Sequence, residues 1–291
     1  MKYPLVSIII PTFNSREVIK TCLDASCFQD YPRDKFEIII VDNGSHDDTV
    51  SLAKTYPVKI FHCLGTSPQV CRQRNLGVQH ARGDYVYILD HDMELPKSFL
   101  RRFAFEVERT KEKIDAWYIP EIVIASNPLI SQVRTLEKRF YDDTVISAVR
   151  FIKTSMFKKT EGYDLKLSGG PADWDMDIQL RLSGAKFNTL KECIYHHEEG
   201  LSFWKHITKK SIYIKGSDKY KDKWEKKDAT IYENVVRKQF SPLYRYFFVF
   251  VENGKWVKLL LPNLLLFIIL YFSKIMVGLI YIQNKLKAKI I

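Results

Sequence analysis

Three short runs of apolar, mostly β-branched residues constrain the fold of this chain most strongly. They lie at residues 6–10, 37–41 and 85–89. Between them are longer segments whose apolar spacing suits amphipathic helices, such as 18–28 and 99–107. Nearly continuous hydrophobic strands separated by helices are typical of a mostly parallel sheet covered on both faces. We therefore predict an α/β fold, with two weaker strands at 58–62 and 117–124.

Polar loops follow the three main strands, and they contain the residues expected to bind a ligand. The loops contain, in chain order, Pro11, Thr12, Phe13 and Asn14; Asp42, Asn43, Gly44 and Ser45; and Asp90, His91 and Asp92. Because ligands of open α/β sheets bind at the carboxyl ends of strands, we expect these loops to converge on one crevice. An acidic pair also ends strands or caps helices, so the convergence carries more weight than the pair alone.

Asp90 and Asp92 suggest a site for a divalent metal and a diphosphate. Hard cations such as Mg²⁺ and Mn²⁺ prefer oxygen ligands, and one or two protein carboxylates usually hold them together with substrate phosphates. The two carboxylates come just past the end of a buried strand. They therefore stand where a ligand of the sheet is expected.

A helix is predicted to begin at residues 168–171, with Pro171 near its first position. Its opening turns carry Asp173, Asp175 and Asp177. These acids complement the helix dipole, which is a sufficient structural reason for their presence. At helical spacing Asp173 and Asp177 share a face and Asp175 points elsewhere, so at most two of them can line one site.

The net charge of +11 comes largely from the C-terminal half, where basic residues concentrate at 205–238 and again from residue 255 onward. Next to a hydrophobic segment, this charge favours an anionic membrane surface as partner. No nucleic-acid-binding signature is present, and nucleic acid is not expected.

Five cysteines without a Cys-x-x-Cys spacing fit a reducing setting. The chain runs straight into its first strand, so the catalytic part is expected on the cytosolic side of a membrane.

Residues 256–282 are strongly apolar and long enough to cross a bilayer, which takes about 20 residues. Lys274, near the middle, is costly in a spanning helix. A hairpin, a tilted span, an interfacial helix and a buried helix of the soluble domain all remain open, and the trailing lysines place the last residues in the cytosol. We predict a catalytic domain at 1–200, a basic helical extension at 201–255 and a hydrophobic, membrane-associated segment at 256–291.

The segments 6–14, 40–49 and 83–92 together resemble the motifs of the family-2 inverting glycosyltransferases, which have the GT-A fold, a Rossmann-like α/β architecture. The resemblance covers residues 6–200. It implies a nucleotide-diphospho-sugar donor, Mn²⁺ or Mg²⁺ as cofactor, and direct displacement with inversion. With the basic and apolar C-terminal part, it also implies a membrane-associated enzyme that acts on a lipid-linked or polysaccharide acceptor.

The resemblance assigns roles to individual residues. It places Phe13 near the nucleobase, Asp42 in hydrogen bonds to the base, Arg74 beside the nucleotide, Asp90 at the ribose and Asp92 on the metal. Pro11, Thr12, Asn14 and His91 complete the predicted nucleotide-sugar site. Ordinary explanations compete with three of these roles: Phe13 as core filling, Asp42 as a cap of a helix starting near residue 47, and Arg74 as a solvated charge.

The general base of the family is in a Glu-Asp pair that is followed by an Arg and a Gly. This chain departs from the pattern. Alignment on Gly184 puts Ala172 in the Glu position, selects Asp173 as the base and leaves Gln179 where Arg is expected. Alignment on Arg181 selects Asp175 instead. We favour Asp173 and keep Asp175 as the alternative.

Residues 196–200 resemble a later His-x-Glu-Gly segment of the family, in which a histidine completes the metal's coordination or contacts the diphosphate. His197 is favoured over His196, and an imidazole ligand suits Mn²⁺ better than Mg²⁺. Lys209, Lys210 and Tyr213 fit either a flap over the diphosphate or a basic surface that faces the membrane.

Two other functions compete with glycosyl transfer. A nucleotidyltransferase would be expected to carry a Gly-rich, basic loop near its N-terminus, and residues 11–14 are not one. A membrane-tethered protein that binds sugar nucleotides without turnover is the second rival, because Ala172 stands where the family has Glu.

Overall fold

The three predicted strands form the centre of a seven-stranded sheet in the computed structural model, which describes residues 2–63, 65, 69–110, 112–200, 204 and 217–287. The strands are β1 (Val6–Thr12), β2 (Phe36–Asp42), β3 (Lys59–His62), β4 (Tyr85–Ile88), β6 (Ala116–Tyr118), β8 (Val149–Lys153) and β9 (Phe187–Thr189). Their order is β3-β2-β1-β4-β8-β6-β9, and only β8 runs antiparallel to its neighbours. The predicted mostly parallel α/β sheet is confirmed.

Helices follow the strands as expected for this architecture. They are α1 (Arg16–Cys27), α2 (Thr49–Ala53), α3 (Val70–Gln79), α4 (Phe99–Arg109), α6 (Thr154–Phe157) and α7 (Gly170–Leu182). Every residue of β1 and β2 is buried. The close packing of α3 on this sheet depends on Gly77, because a Cβ there would lie 2.3 Å from Cγ2 of Ile9. A larger residue would push α3 and the residues it carries away from the strand ends.

The predicted fifth strand at 117–124 is wrong as a single element. The structure has two strands there, β6 and β7 (Glu121–Ile124), with Pro120 between them. Proline has no N–H to donate to a ladder, which accounts for the break. A short antiparallel pair, β5 (Met93–Glu94) and β10 (Ile194–His197), follows the carboxyl end of β4.

The chain divides into two compact units. The first comprises Met1–Glu121 and Ala148–His197, and the second comprises Ile122–Ser147 and Glu198–Ile291. Residues 122–147, which fall in the predicted domain 1–200, therefore group with the C-terminal part. In the second unit the long helices are α5 (Pro128–Tyr141), α8 (Ser217–Lys227) and α9 (Leu264–Lys287), and short helical segments occupy much of 229–263.

Glu37 at the start of β2 is a buried acid whose partners predict an acid-sensitive fold. Its carboxylate accepts hydrogen bonds from Ser7 Oγ at 2.7 Å, Lys59 Nζ at 2.7 Å and the Arg82 backbone N at 2.8 Å. Burial alone would raise the pKa of Glu37, but these donors lower it to about 2.

We therefore expect Glu37→Gln to lower the free energy of unfolding at pH 7 by about 2 kcal/mol, a value discounted because Lys59 and Arg82 are solvent-exposed. A depressed pKa contributes stability above the unfolded-state value near 4.5 that is lost as pH falls toward 2. Urea unfolding between pH 7 and pH 2 should show a flatter acid limb for the variant. The exposed Glu17→Gln is the control, and an unchanged limb in Glu37→Gln would contradict this account.

Candidate active site

The loops after β1 and β2 are joined by hydrogen bonds. The Asn43 backbone N donates to Thr12 O at 3.0 Å. Asn14, in the left-handed region at φ 46°, donates from its backbone N to Ser45 Oγ at 2.9 Å and accepts from the His46 N at 2.8 Å. The two loops therefore form one continuous rim at the carboxyl edge of the sheet.

Side chains from α3 and from the loop after β4 join the same rim. Gln73 Nε2 donates to Thr12 O at 2.8 Å and to Val41 O at 2.7 Å, so it connects the ends of β1 and β2. His91 Nδ1 lies 3.2 Å from Pro11 O. The structure thus brings together all three loops that the sequence predicts to converge.

Asp42 organises its own loop. Its Oδ2 accepts hydrogen bonds from the backbone N of Gly44 and of Ser45, both at 2.9 Å, and its Oδ1 accepts from Thr12 Oγ1 at 3.2 Å. The alternative in which Asp42 caps the next helix is wrong, because Asp47 accepts from the Thr49 N at the start of α2. The side chain of Asp42 is buried and holds the rim in shape.

Four charged residues form a closed ring beside this rim. Arg74 donates to Asp173 Oδ1 at 2.7 Å and to Asp90 Oδ1 at 3.2 Å. Arg150 donates to both oxygens of Asp90 at 2.9 Å and to Asp173 Oδ2 at 3.2 Å. Each arginine contacts both carboxylates, and we call this set (Arg74, Asp90, Arg150 and Asp173) the arginine–aspartate ring.

The two arginines of the ring keep Asp90 ionised. Burial alone would raise the pKa of Asp90, but Arg150 and Arg74 hold it well below its usual range. Arg74 is buried, so the alternative of a solvated surface charge is wrong for it. Within the described part of the chain, Nε of Arg74 and Nε of Arg150 have no hydrogen-bond partner. Both Nε atoms are buried, so they are unsatisfied donors inside the ring.

Arg150 is absent from the sequence predictions. Antiparallel pairing of β8 with β4 sets Phe151 opposite Tyr87 and carries Arg150 to the carboxyl end of β4, beside Asp90. A cation inside an otherwise apolar strand is a signal that could have revealed it, because a buried cation needs carboxylate partners.

The three acids of α7, Asp173, Asp175 and Asp177, lie in different surroundings. Asp175 is fully buried, and its Oδ2 accepts from Gln179 Nε2 at 2.7 Å. Asp177 accepts from Arg181 Nε at 2.8 Å, and burial raises its pKa. Of the three acids, only Asp173 belongs to the arginine–aspartate ring.

His196, rather than the favoured His197, lies beside Asp92. His196 Nε2 is 3.5 Å from Asp92 Oδ2, whereas His197 Nε2 is 2.8 Å from Glu94 Oε2. Successive residues of a strand point to opposite faces, so only one of the pair can reach Asp92. The preference for His197 as a neighbour of Asp92 is therefore corrected to His196.

The residues present fit a divalent metal that is shared with a phosphate ligand. Among the described residues, no group of three or more His, Cys, Asp or Glu side chains forms a complete metal cage. The Asp92 carboxylate is partly exposed and offers oxygen, and His196 adds an imidazole whose Nδ1 lies 2.8 Å from Glu121. A partner on the far ring nitrogen is the usual way in which a metal-binding histidine is oriented.

We expect His196→Ala to weaken activation by Mn²⁺ by about 10- to 100-fold, the usual effect of losing a residue that ligates or orients at a metal site. His197→Ala is the matched control, since its ring faces Glu94, and it should change activation by less than about threefold. Activity measured against Mn²⁺ concentration checks both variants. Equal losses in the two would contradict the placement of His196.

The last two predictions concern Phe13 and the basic segment 209–213. Phe13 is half-buried and is not among the core residues, so core filling does not explain it. Lys209, Lys210 and Tyr213 lie outside the described residues.

Comparison with known proteins identifies the relatives of this chain. The family model described as Glycosyl transferase family 2 matches residues 7–158, just over half of the chain. Glycosyltransferase AglE of Haloferax volcanii is 35% identical over 111 residues, which are 37% of this chain and 36% of AglE. A Methanococcus voltae enzyme is 29% identical over 207 residues, 63% of this chain and 64% of the enzyme. Its name is dolichyl N-acetyl-alpha-D-glucosaminyl phosphate 3-beta-D-2,3-diacetamido-2,3-dideoxy-beta-D-glucuronosyltransferase. The matches thus span less than two thirds of either relative.

Two solved structures share the fold. The mannosyltransferase PcManGT from Pyrobaculum calidifontis, in complex with GDP-Man and Mn²⁺, superposes with a TM-score of 0.62 at 18% identity, covering 98% of this chain and 89% of that one. Staphylococcus aureus TarS 1–349, in complex with UDP-GlcNAc, gives 0.61 at 17% identity, covering 91% and 79%. The predicted GT-A fold is confirmed, and the chain belongs to glycosyl transferase family 2.

Proposed function

We propose that the protein is an inverting glycosyltransferase that moves a sugar from a nucleotide-diphospho-sugar to a lipid-linked or polysaccharide acceptor at the cytosolic face of a membrane. The observation that carries this proposal is the meeting of the three strand-end loops beside the arginine–aspartate ring and Asp92. Nucleotide sugars are bound in the structures of PcManGT and TarS, and the M. voltae enzyme is named for a dolichyl phosphate-linked substrate.

In this proposal the rim formed by the loops after β1 and β2 binds the nucleoside, with Phe13 against the base and Asp42 holding the loop that meets it. Asp90 faces the ribose and keeps both arginines oriented. Arg74 and Arg150 would redirect guanidinium N–H groups from the two aspartates to the diphosphate, because charge-assisted bonds to phosphate are strong and directional. Pro11, Thr12, Asn14 and His91 shape the same rim.

Asp92 and His196 are the residues that would hold the metal. When bound there, Mn²⁺ or Mg²⁺ neutralises the charge that builds on the leaving diphosphate. The role of Asp92 would be to fix the position of the metal relative to the arginine–aspartate ring. Glu121 keeps the His196 ring in place through its contact with Nδ1.

Asp173 is the proposed general base. It accepts the proton of the acceptor hydroxyl while the acceptor oxygen forms a bond to the anomeric carbon, and the bond from that carbon to the diphosphate oxygen breaks on the opposite face. This single displacement inverts the configuration. Both oxygens of Asp173 accept hydrogen bonds from guanidinium groups in this structure, and the donor diphosphate would compete with them for Arg74 and Arg150.

The test is release of nucleoside diphosphate from a panel of nucleotide sugars. Full-length protein is incubated with UDP-, GDP- and other nucleotide-linked sugars, with Mn²⁺ or Mg²⁺, and with membrane extract as the acceptor. Mass spectrometry of the released diphosphate identifies the donor. We expect one donor class to be consumed only when the metal and the extract are both present. No release from any donor would count against the proposal.

The second candidate is a binding protein that retains the donor site without turnover. It is favoured by Ala172, which stands where the family has Glu, and by the guanidinium contacts that occupy both oxygens of Asp173. Nucleotide binding without release, unchanged when Asp173 and Asp175 are both replaced by Asn, would support it.

A further inference from the structure

Most of the large apolar side chains that are exposed in the described part of the chain lie in the second unit. Of the 20 large apolar side chains that are exposed in the described part of the chain, 14 lie between residues 243 and 282. Six of them recur every three or four residues along α9, and we call them the α9 stripe: Leu265, Ile268, Phe272, Ile275, Leu279 and Ile282. This spacing places them on one side of the helix.

The opposite side of α9 packs on the second unit itself. The Phe267 ring lies 5.8 Å from the Phe140 ring and 5.0 Å from the Phe250 ring, measured between centroids. Leu270 and Ser273 are buried on this side. Helix α9 therefore has one protein-facing side and one apolar exposed side along the same length.

Lys274 belongs to the protein-facing side. It is 8% exposed, and its Nζ is 2.7 Å from Tyr141 Oη and 5.0 Å from the centroid of the Tyr141 ring. Tyr246 Oη donates to Lys274 O at 2.9 Å. The charge that makes this segment a poor membrane span is thus directed at the protein, away from the α9 stripe.

The packing against α5 argues against a crossing of the bilayer. Residues Trp256–Ile280 are long and apolar enough to span a membrane. However, α5 meets α9 near its middle, through Phe140 and Tyr141, and α5 carries Arg134, Glu137, Lys138 and Arg139. A perpendicular α9, about 36 Å long, would draw that charged helix toward the bilayer centre, where each charge is costly.

Charge favours lipid over a second copy of this chain as the occupant of the α9 stripe. From residue 241 onward the sequence has seven Lys and Arg residues, of which Lys255 and Lys274 are buried, and a single acid, Glu252. A symmetric dimer through this face would set like charges against each other. An anionic lipid surface complements both the positive charge and the apolar stripe.

We propose that α9 lies in the plane of an anionic membrane surface, with the α9 stripe inserted at the boundary between headgroups and acyl chains, and does not cross the bilayer. This inference deepens the membrane association put forward above. It does not depend on glycosyl transfer, because its tests measure lipid binding and topology.

The topology test uses full-length protein bound to sealed vesicles of phosphatidylcholine and phosphatidylglycerol. Lys258→Cys and Gln283→Cys variants are treated with a membrane-impermeant maleimide, and mass spectrometry locates the label by peptide. We expect both cysteines to be labelled to the same extent before and after detergent is added. Protection of residue 283 until detergent is added, with residue 258 labelled throughout, would show a spanning helix and overturn the proposal.

The binding test uses flotation with the same vesicles. The Ile268→Glu/Phe272→Glu double variant should reduce the vesicle-bound fraction about tenfold or more, since two large apolar side chains lose their burial in lipid. Phe105→Glu, at another exposed apolar position, should float like the parent chain. Unchanged flotation of the double variant, or a parent dimer that the double variant converts to a monomer, would overturn the proposal.

Discussion

Replacement of Asp92 with Ala is expected to abolish release of nucleoside diphosphate, with a loss of about 1000-fold or more in kcat. Asp92 is a partly exposed carboxylate at the end of the central sheet with an imidazole 3.5 Å away, and it is the proposed protein anchor of the metal. Without it the charge on the leaving diphosphate is not neutralised, an effect that is worth several kcal/mol in the transition state. Initial rates with the donor found in the panel, at several Mn²⁺ concentrations, measure the effect.

Glu94→Gln is the matched control for Asp92→Ala. Glu94 follows Asp92 by two residues, and its carboxylate is directed to His197. We expect its rate to stay within about threefold of the parent rate. Substantial activity in Asp92→Ala at saturating Mn²⁺, or an equal loss in Glu94→Gln, would remove Asp92 from the proposed metal site.

Replacement of Asp173 with Asn should lower kcat by about 100- to 10,000-fold, the usual contribution of a general base. The amide keeps the size of the carboxylate and one acceptor oxygen, but it cannot take the proton of the acceptor. The affinity for nucleoside diphosphate should change by less than about tenfold, because Asp90 still orients Arg74 and Arg150. Single-turnover rates and a binding titration separate the two effects.

Asp175→Asn distinguishes the two candidate bases. Asp175 is fully buried and bonded to Gln179, so its replacement should lower the melting temperature and leave the kcat of the folded fraction nearly unchanged. Asp173→Asn should show the reverse pattern. A normal kcat in Asp173→Asn together with a large loss in folded Asp175→Asn would identify Asp175 as the base.

The central sheet could be predicted from the sequence because its strands are continuous apolar runs, a pattern that needs no knowledge of distant contacts. The segment 117–124 is similarly apolar but contains Pro120, which interrupts strand pairing. The expected convergence of the three loops likewise followed from strand order alone, since parallel strands present their carboxyl ends at one edge.

Contacts between distant residues account for what the sequence did not reveal. Arg150 reaches Asp90, 60 residues earlier, through the register of an antiparallel strand pair, and no local pattern specifies that register. His196 and His197 are adjacent in a strand with polar residues on both faces, so no hydrophobic alternation indicates which of them faces Asp92. Helical spacing places Asp173 and Asp175 on different sides of α7. Only the contacts of Asp173 with Arg74 and Arg150 show which side of the helix faces the candidate site.

The most direct test of the central claim, that the three loops hold a metal-bound diphosphate, is a crystal structure with Mn²⁺ and a nucleoside diphosphate. Data collected at the manganese absorption edge locate the ion independently of the protein atoms. Our account predicts an anomalous peak within coordination distance of a carboxylate oxygen of Asp92, and a diphosphate in contact with the guanidinium groups of Arg74 and Arg150. A peak elsewhere, or a nucleotide bound away from the loops that follow β1, β2 and β4, would contradict it.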